Sequence, residues 1–139
     1  MYNLPHWIVI HGTDRYSGKT TLITKIIEHF SKDLPICGIK ISPHFHPLDD
    51  QSQVIYQTGN WVILKENKGN TGKDSSRMLD AGAREVFYLQ VRDNQLSEVI
   101  PFLLKVISPE MAVICESEWV RNLITPGSYK REVQKMSSS

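Results

Sequence analysis

Cysteine is nearly missing from this chain, with two among 139 residues, and no C-x-x-C spacing occurs. A disulfide framework or a cysteine-held zinc site is therefore not expected. Cys37 and Cys115 lie inside apolar, strand-like runs and read as buried, reduced thiols. Also lacking is any apolar run long enough to cross a bilayer, so no membrane span is expected. The opening "MYNLPHW" has no positive segment followed by an apolar one, and a secretion signal is not expected. Together these point to the cytoplasm. Neither sign of charge is in excess: the formal net charge is +1. Nothing in the bulk charge therefore points to nucleic acid or an anionic membrane, neither is expected as a partner, and any anion site must be local. No internal repeat is found.

What is present is an ordinary globular mixture, 40% hydrophobic and 22% charged, of a length suited to one domain. Apolar runs of strand length alternate with helical patterns. "WIVIHG" (7–12) reads as a strand, and Leu22, Ile23, Ile26, Ile27 and Phe30 then share one helical face. "ICGIKIS" (36–42), between Pro35 and Pro43, is a second strand. "SQVIYQTGNWVILKEN" (52–67) reads as a β-hairpin turning at Thr58-Gly59-Asn60. "DSSRMLDAGA" is a short helix that Gly82 helps to end, and "EVFYLQV" (85–91) is a strand. "NQLSEVIPFLLKVIS" is helical, with Ser97 or Asn94 as N-cap, and Pro101 either marks its start or kinks it. "MAVICES" (111–117) is a last buried strand. Residues 1–125 form one domain, and 126–139 read as a polar, flexible tail. Strands apolar throughout and joined by helices predict a mainly parallel sheet covered on both faces. Ligands in such a sheet bind beyond the strands' carboxyl ends. The glycine loop, "SPHFHPLDD" and "CESEWVR" should therefore cluster on one rim.

The glycine loop carries the chemistry. "WIVIHGTDRYSGKTTLITKIIEHF" (7–30) runs strand, loop, Gly-Lys-Thr, helix, the layout of a P-loop. That motif spaces Gly and Gly-Lys-Ser/Thr by four residues. Here five, Thr13, Asp14, Arg15, Tyr16 and Ser17, stand between Gly12 and Gly18-Lys19-Thr20. In a P-loop the backbone N–H groups turn onto phosphate oxygens and the helix N-terminus adds a favourable dipole. The lysine supplies a point charge, and the hydroxyl ligates Mg²⁺. The bland alternative is a helix that begins with Gly-Lys-Thr by accident; the strand ahead and the helix behind favour the cradle. "GTDRYSGKT" resembles the loop of dethiobiotin synthetases, where Gly-Thr-Asp opens a cradle of this length. Arg15 reads equally as a contact to phosphate or to a partner subunit's nucleotide and as a solvated loop arginine. Tyr16 narrows the cradle or stacks on a base.

A second segment points to a family. Gly18-Lys19-Thr20-Thr21-Leu22, Ile39-Lys40, His44 and His46, Gly72-Lys73-Asp74-Ser75, Arg77 and Ala81-Gly82-Ala83 follow one another in order. This succession, from residue 7 to about 118, resembles the molybdopterin-guanine dinucleotide biosynthesis protein B family of P-loop GTP-binding proteins. The chain departs from that pattern in its longer cradle, its larger hairpin and its Cys115-Glu116-Ser117 in place of Val-Glu-Gly. The resemblance implies an α/β, three-layer, P-loop NTPase-like fold with a mainly parallel sheet and the 52–67 hairpin as an insert. It implies GTP, in preference to ATP, with Mg²⁺, and a part in molybdopterin guanine dinucleotide formation beside the guanylyltransferase that uses molybdopterin. Residues 12–21, Lys40, Lys73, Asp74, Ser75 and Arg77 are its binding set, with Thr20, Asp74 and Glu116 toward the metal and Lys19 and Glu116 as the catalytic candidates. Whether nucleotide is hydrolysed stays open, and any GTPase activity is expected to be slow. An adaptor that holds nucleotide without turnover, or a small ATP-dependent kinase or ligase resembling dethiobiotin synthetase, are the alternatives.

The chemistry of these residues fits that list. Lys73, Ser75 and Arg77 suit an anionic ligand, while Asp74 is either part of that site or only a helix N-cap. Glu116 closes a buried strand, where an acid can hold Mg²⁺ or polarise water; otherwise it is an exposed loop carboxylate near Glu118. His44 and His46 are too few for a closed zinc site unless Asp49 and Asp50 complete it, and read better as solvated or substrate-facing. Tyr56, Trp61 and Trp119 read as packing or interface residues, and the hairpin is a candidate contact for a homodimer.

Overall fold

The computed structural model describes residues 2–11, 18–48, 52–118 and 120–130. The apolar runs become strands β1 (Tyr2–Ile10), β2 (Ile36–Ser42), β3 (Ser52–Gln57), β4 (Trp61–Glu66), β5 (Glu85–Val91), β6 (Ala112–Glu116) and β7 (Ile124–Lys130). The helices are α1 (Lys19–Phe30), α2 (Asp74–Asp80) and α3 (Leu96–Val106). All seven strands form one sheet in the order β3-β4-β5-β2-β6-β1-β7. Neighbours from β5 to β7 pair in parallel, whereas β4 pairs antiparallel with both β3 and β5. The sheet is thus mixed and largely parallel, as the continuous apolar strands predict.

Side chains alternate across the pleat and build a core on each face. Trp7, Val9, Cys37, Ile39, Phe87, Leu89, Val113 and Cys115 point to the face covered by α3, where Val99, Ile100 and Leu103 meet them. Ile10, Ile36, Val86 and Ile114 point the other way, onto Ile23 and Ile27 of α1 and Met78 of α2. Of the helical stripe of α1 read from sequence, Ile23 and Ile27 are buried and Leu22 and Ile26 half-buried, whereas Phe30 at its end is exposed. Burial is the main influence on both thiols: it pushes Cys37 up to about 12, with Glu85 adding and Lys65 opposing, and holds Cys115 well above the ordinary thiol range. Both are free and buried, inert rather than reactive thiols.

Several boundaries differ from the sequence reading. The strand expected from residue 7 begins at Tyr2, and Pro5 falls where the β1–β7 register shifts between Leu4 and Ile8. Proline lacks a ladder donor and is tolerated at such an irregularity. The expected tail from 126 is in part a strand: Ile124–Lys130 runs parallel to β1 and covers its outer edge. Its backbone ladder does not require the apolar residues that sequence patterns detect; residues 131–139 lie outside the described residues. Neither Asn94 nor Ser97 caps α3, because a 3-10 turn, Asp93–Gln95, leads in and Gln95 is the N-cap; Pro101 lies inside the helix. Asp74 is not the N-cap of α2 either, a place taken by Lys73. Gly82 does end α2, its N–H donating to the Leu79 carbonyl. The hairpin forms with Trp61 buried against Phe102, centroids 5.1 Å apart. Rather than an appendage, it lengthens the sheet through β4, which is buried along most of its length.

One close approach sets the spacing between sheet and helix. A Cβ on Gly38 would stand 2.7 Å from Met78 Sδ. Gly38→Ala is expected to lower the unfolding free energy by about 1–3 kcal/mol, a typical cost of overpacking. In a Met78→Ala background that cost should shrink; urea unfolding of the four-member cycle measures both.

Candidate functional site

The pleat that builds two cores also delivers polar side chains to one place. On β2 and β6, Lys40 and Glu116 are paired in register, on the α1/α2 side of the sheet and near the strands' carboxyl ends. Beside them Ile10 closes the described part of β1, and the Ser117 N–H donates to the Ile10 carbonyl. Over these ends opens a groove of about 1200 Å³. Gly18, Lys19, Thr20 and Thr21 line it from α1, Asp74 and Arg77 from α2, and Lys40 and Glu116 from the sheet. The rim expected from the strand ends is therefore present. Lys73 and Ser75 line instead an adjoining, smaller cavity. Gly12, Thr13, Asp14, Arg15, Tyr16 and Ser17 lie outside the described residues.

At the head of α1, Gly18 is the N-cap, with φ 80° and ψ 18° and no side-chain cap. Glycine takes this left-handed conformation freely, whereas a side chain there costs roughly 1–2 kcal/mol. The Gly18 carbonyl accepts from the Leu22 N–H at 3.1 Å, so the helix begins directly after it. Lys19 and Thr20 accordingly occupy the first turn, whose N–H groups have no partner within the helix. Lys19 Nζ lies 3.6 Å from Glu118 Oε1, a partly exposed pair of modest energetic value. Sequence reasoning gave Glu118 no part in this, since a loop acid two residues past the strand carries no pattern.

The centre of the groove is an ion cluster. Lys40 Nζ stands 2.5 Å from Asp74 Oδ2 and 2.6 Å from Glu116 Oε2. Glu116 is 5% exposed, which corrects the reading of an exposed loop carboxylate. The two acids expected to face a metal thus share an ammonium. Burial is the largest single influence on Lys40 and opposes its charge. The charge of Glu116, hydrogen bonds to both carboxylates and the charge of Asp74 together outweigh it and hold Lys40 above its ordinary 10.5. A basic group raised by folding contributes stability that is complete below the unfolded value and is lost as pH rises through the folded one.

On the rim, His44 and His46 are exposed. The His44 N–H donates to Ser42 Oγ at 3.2 Å, and the His46 N–H to Gln90 Oε1 at 3.3 Å. Among the described residues, no three His, Cys, Asp or Glu side chains gather to hold a metal; Asp49 and Asp50 lie outside them. Ser76, fully buried, donates to the Lys68 carbonyl at 2.8 Å and accepts the Thr71 N–H at 3.1 Å, tying the turn before α2 to the helix.

Lys40→Met should lower the unfolding free energy by about 1.5–3 kcal/mol at neutral pH, the range for hydrogen bonds to charged groups. Above pH 10.5 the wild type should lose a contribution that the variant never had. Chemical unfolding across pH reads both.

Set against family models, curated proteins and solved structures, the chain matches none of them.

Proposed function

We propose that this chain is a P-loop protein that binds GTP, and more weakly ATP, with Mg²⁺. Its service is to molybdopterin guanine dinucleotide formation, beside the guanylyltransferase of that step. The preference for guanine and the pathway rest on the order of motifs from Gly18 to Ala83. The observation that carries nucleotide binding is the junction of β1 and α1. A left-handed Gly18 starts a twelve-residue helix whose first residues, Lys19 and Thr20, open onto the large groove at the strand ends. The N–H groups of a first helical turn, a helix dipole and a lysine at one point are what a phosphate chain requires.

In this reading Lys19 meets the β- and γ-phosphates and the N–H groups of the first turn hold their oxygens. Thr20 Oγ1 takes Mg²⁺ with help from Glu116 or Asp74, an all-oxygen donor set that suits a hard ion. Arg77, half-buried on the groove wall, balances phosphate charge. Two chains pair through the open edge strand β3, where Val54 and Tyr56 are exposed. One observation favours a second reading, a nucleotide-binding module without turnover. Asp74 and Glu116 are both bound to Lys40, and carboxylates so engaged are poor bases toward water.

Thermal unfolding with GTP, GDP, ATP or ADP plus Mg²⁺, beside Lys19→Ala, tests the proposal. A nucleotide at a hundred times its Kd adds about 2.7 kcal/mol to the folded state, several degrees for a domain this size. A guanine-selective rise that is lost in Lys19→Ala is expected. No rise with any nucleotide would sink the cradle, and an equal rise with adenine nucleotides would sink the guanine preference.

A further inference from the structure

The smaller cavity, of about 300 Å³, lies between β4, β5, the head of α2 and the segment after β2. Strand pairing makes its floor. Lys40 pairs with Tyr88 and Tyr88 with Leu64, so β2, β5 and β4 set three side chains abreast on the α1/α2 side of the sheet. All three line the cavity. Paired strands stand about 4.8 Å apart, and the row from Lys40 to Leu64 therefore spans roughly 10 Å. One end is an ammonium and the other an aliphatic side chain, with the Tyr88 ring between them. Pro47 and Leu48 add apolar surface from the segment after β2.

The charged groups of the lining differ in what they offer an occupant. Of the two carboxylates, Asp74 is held by Lys40. Glu66 is 2% exposed, with Ser75 Oγ donating to its Oε1 at 2.8 Å, and presents almost no surface. The cations are more open. An ammonium carries three N–H donors. Lys40 gives one to Asp74 and one to Glu116, and the third meets no acceptor among the described residues. Its side chain keeps 23% of its surface exposed. Lys73, exposed at the head of α2, lines this cavity and not the large groove.

We propose that this cavity binds a compact aromatic monocarboxylate, its ring over Tyr88 and Leu64 and its carboxylate on the third N–H of Lys40 and the ammonium of Lys73. A charge-assisted hydrogen bond at one end and apolar burial at the other match the polarity of the row. A ring suits the central place of Tyr88, since aromatic groups stack or meet edge to face. One negative charge is preferred to two, because Asp74 and Glu116 flank the same ammonium and repel a second. The volume is at the lower end for small-molecule sites. The inference stands on this cavity alone, without the nucleotide reading. If both hold, the ligand lies beside the nucleotide, because Lys40, His46, Asp74 and Tyr88 line both spaces.

The probe is cinnamate, a flat aromatic monocarboxylate, titrated into the isotope-labelled chain without nucleotide. Neutral cinnamamide and dianionic phenyl phosphate are titrated beside it. Cinnamate should give saturable shifts at the amides of Lys40, Leu64, Lys73 and Tyr88, and bind at least tenfold more tightly than either of the others. Lys73→Met should weaken it roughly threefold to fivefold, the upper range for an exposed ion pair. Lys25→Met, which removes an exposed cation of α1, should leave it unchanged. NOEs from the cinnamate ring to the Tyr88 ring and the Leu64 methyls should appear in the wild type, a readout that depends on no variant. Unsaturable shifts, equal or tighter binding of cinnamamide or phenyl phosphate, an unchanged affinity in Lys73→Met, or no NOE to Tyr88 and Leu64 would each overturn the proposal. With no nucleotide in the sample, failure here leaves the cradle to its own test.

Discussion

One ammonium group organises the functional end of this protein. Lys40 comes from the central strand β2, Glu116 from its neighbour β6 and Asp74 from the helix above them, and all three meet within 2.6 Å contacts. Without the lysine, two acids would share one partly buried groove with nothing between them. Without the acids, a half-buried lysine would be held off solvent at a cost. Each charge makes the others tolerable, as buried ionic groups require. The groove floor is therefore a mixed cluster of one cation between two acids, onto whose flank Lys19 and Glu118 bring a second, looser pair.

Much of the framework was legible because strands and helices announce themselves by period. The stripe of α1, the buried run of β2 and the Thr58-Gly59-Asn60 turn each follow from residue spacing alone. So does the gathering of the strand ends, since a parallel sheet places them on one rim. What escaped was structure held by backbone ladders or by single side chains. The β7 strand contains Pro126 and Gly127, signals that read as a break, yet its register against β1 is set by main-chain bonds. The start of β1 was hidden in the same way by Pro5.

The site was legible as a list and not as an arrangement. Lys40 and Asp74 were named from motif order and Glu116 from its place at the end of a buried strand, but that they bind one another depends on the pairing of β2 with β6 and the packing of α2 over β2. Glu66 gave no signal, because an acid closing a strand of apolar residues looks like a solvated strand end. Only burial, together with the Ser75 hydroxyl at 2.8 Å, sets it apart. Glu118 shows the same limit, as a loop acid whose neighbour is a lysine a hundred residues away in sequence.

The contact of Gly38 with Met78 acquires a mechanical meaning beside the Lys40–Asp74 pair. Gly38 and Lys40 are two residues apart on the same side of one strand, and Asp74 and Met78 are one helical turn apart. Helix and strand are thus joined by two rungs, one of van der Waals contact and one of charge. The apolar rung is set by volume and the ionic rung by charge, so they answer to different substitutions. The apolar rung limits how near α2 can come to the sheet, and the ionic rung ties the head of that helix to the wall that the two cavities have in common.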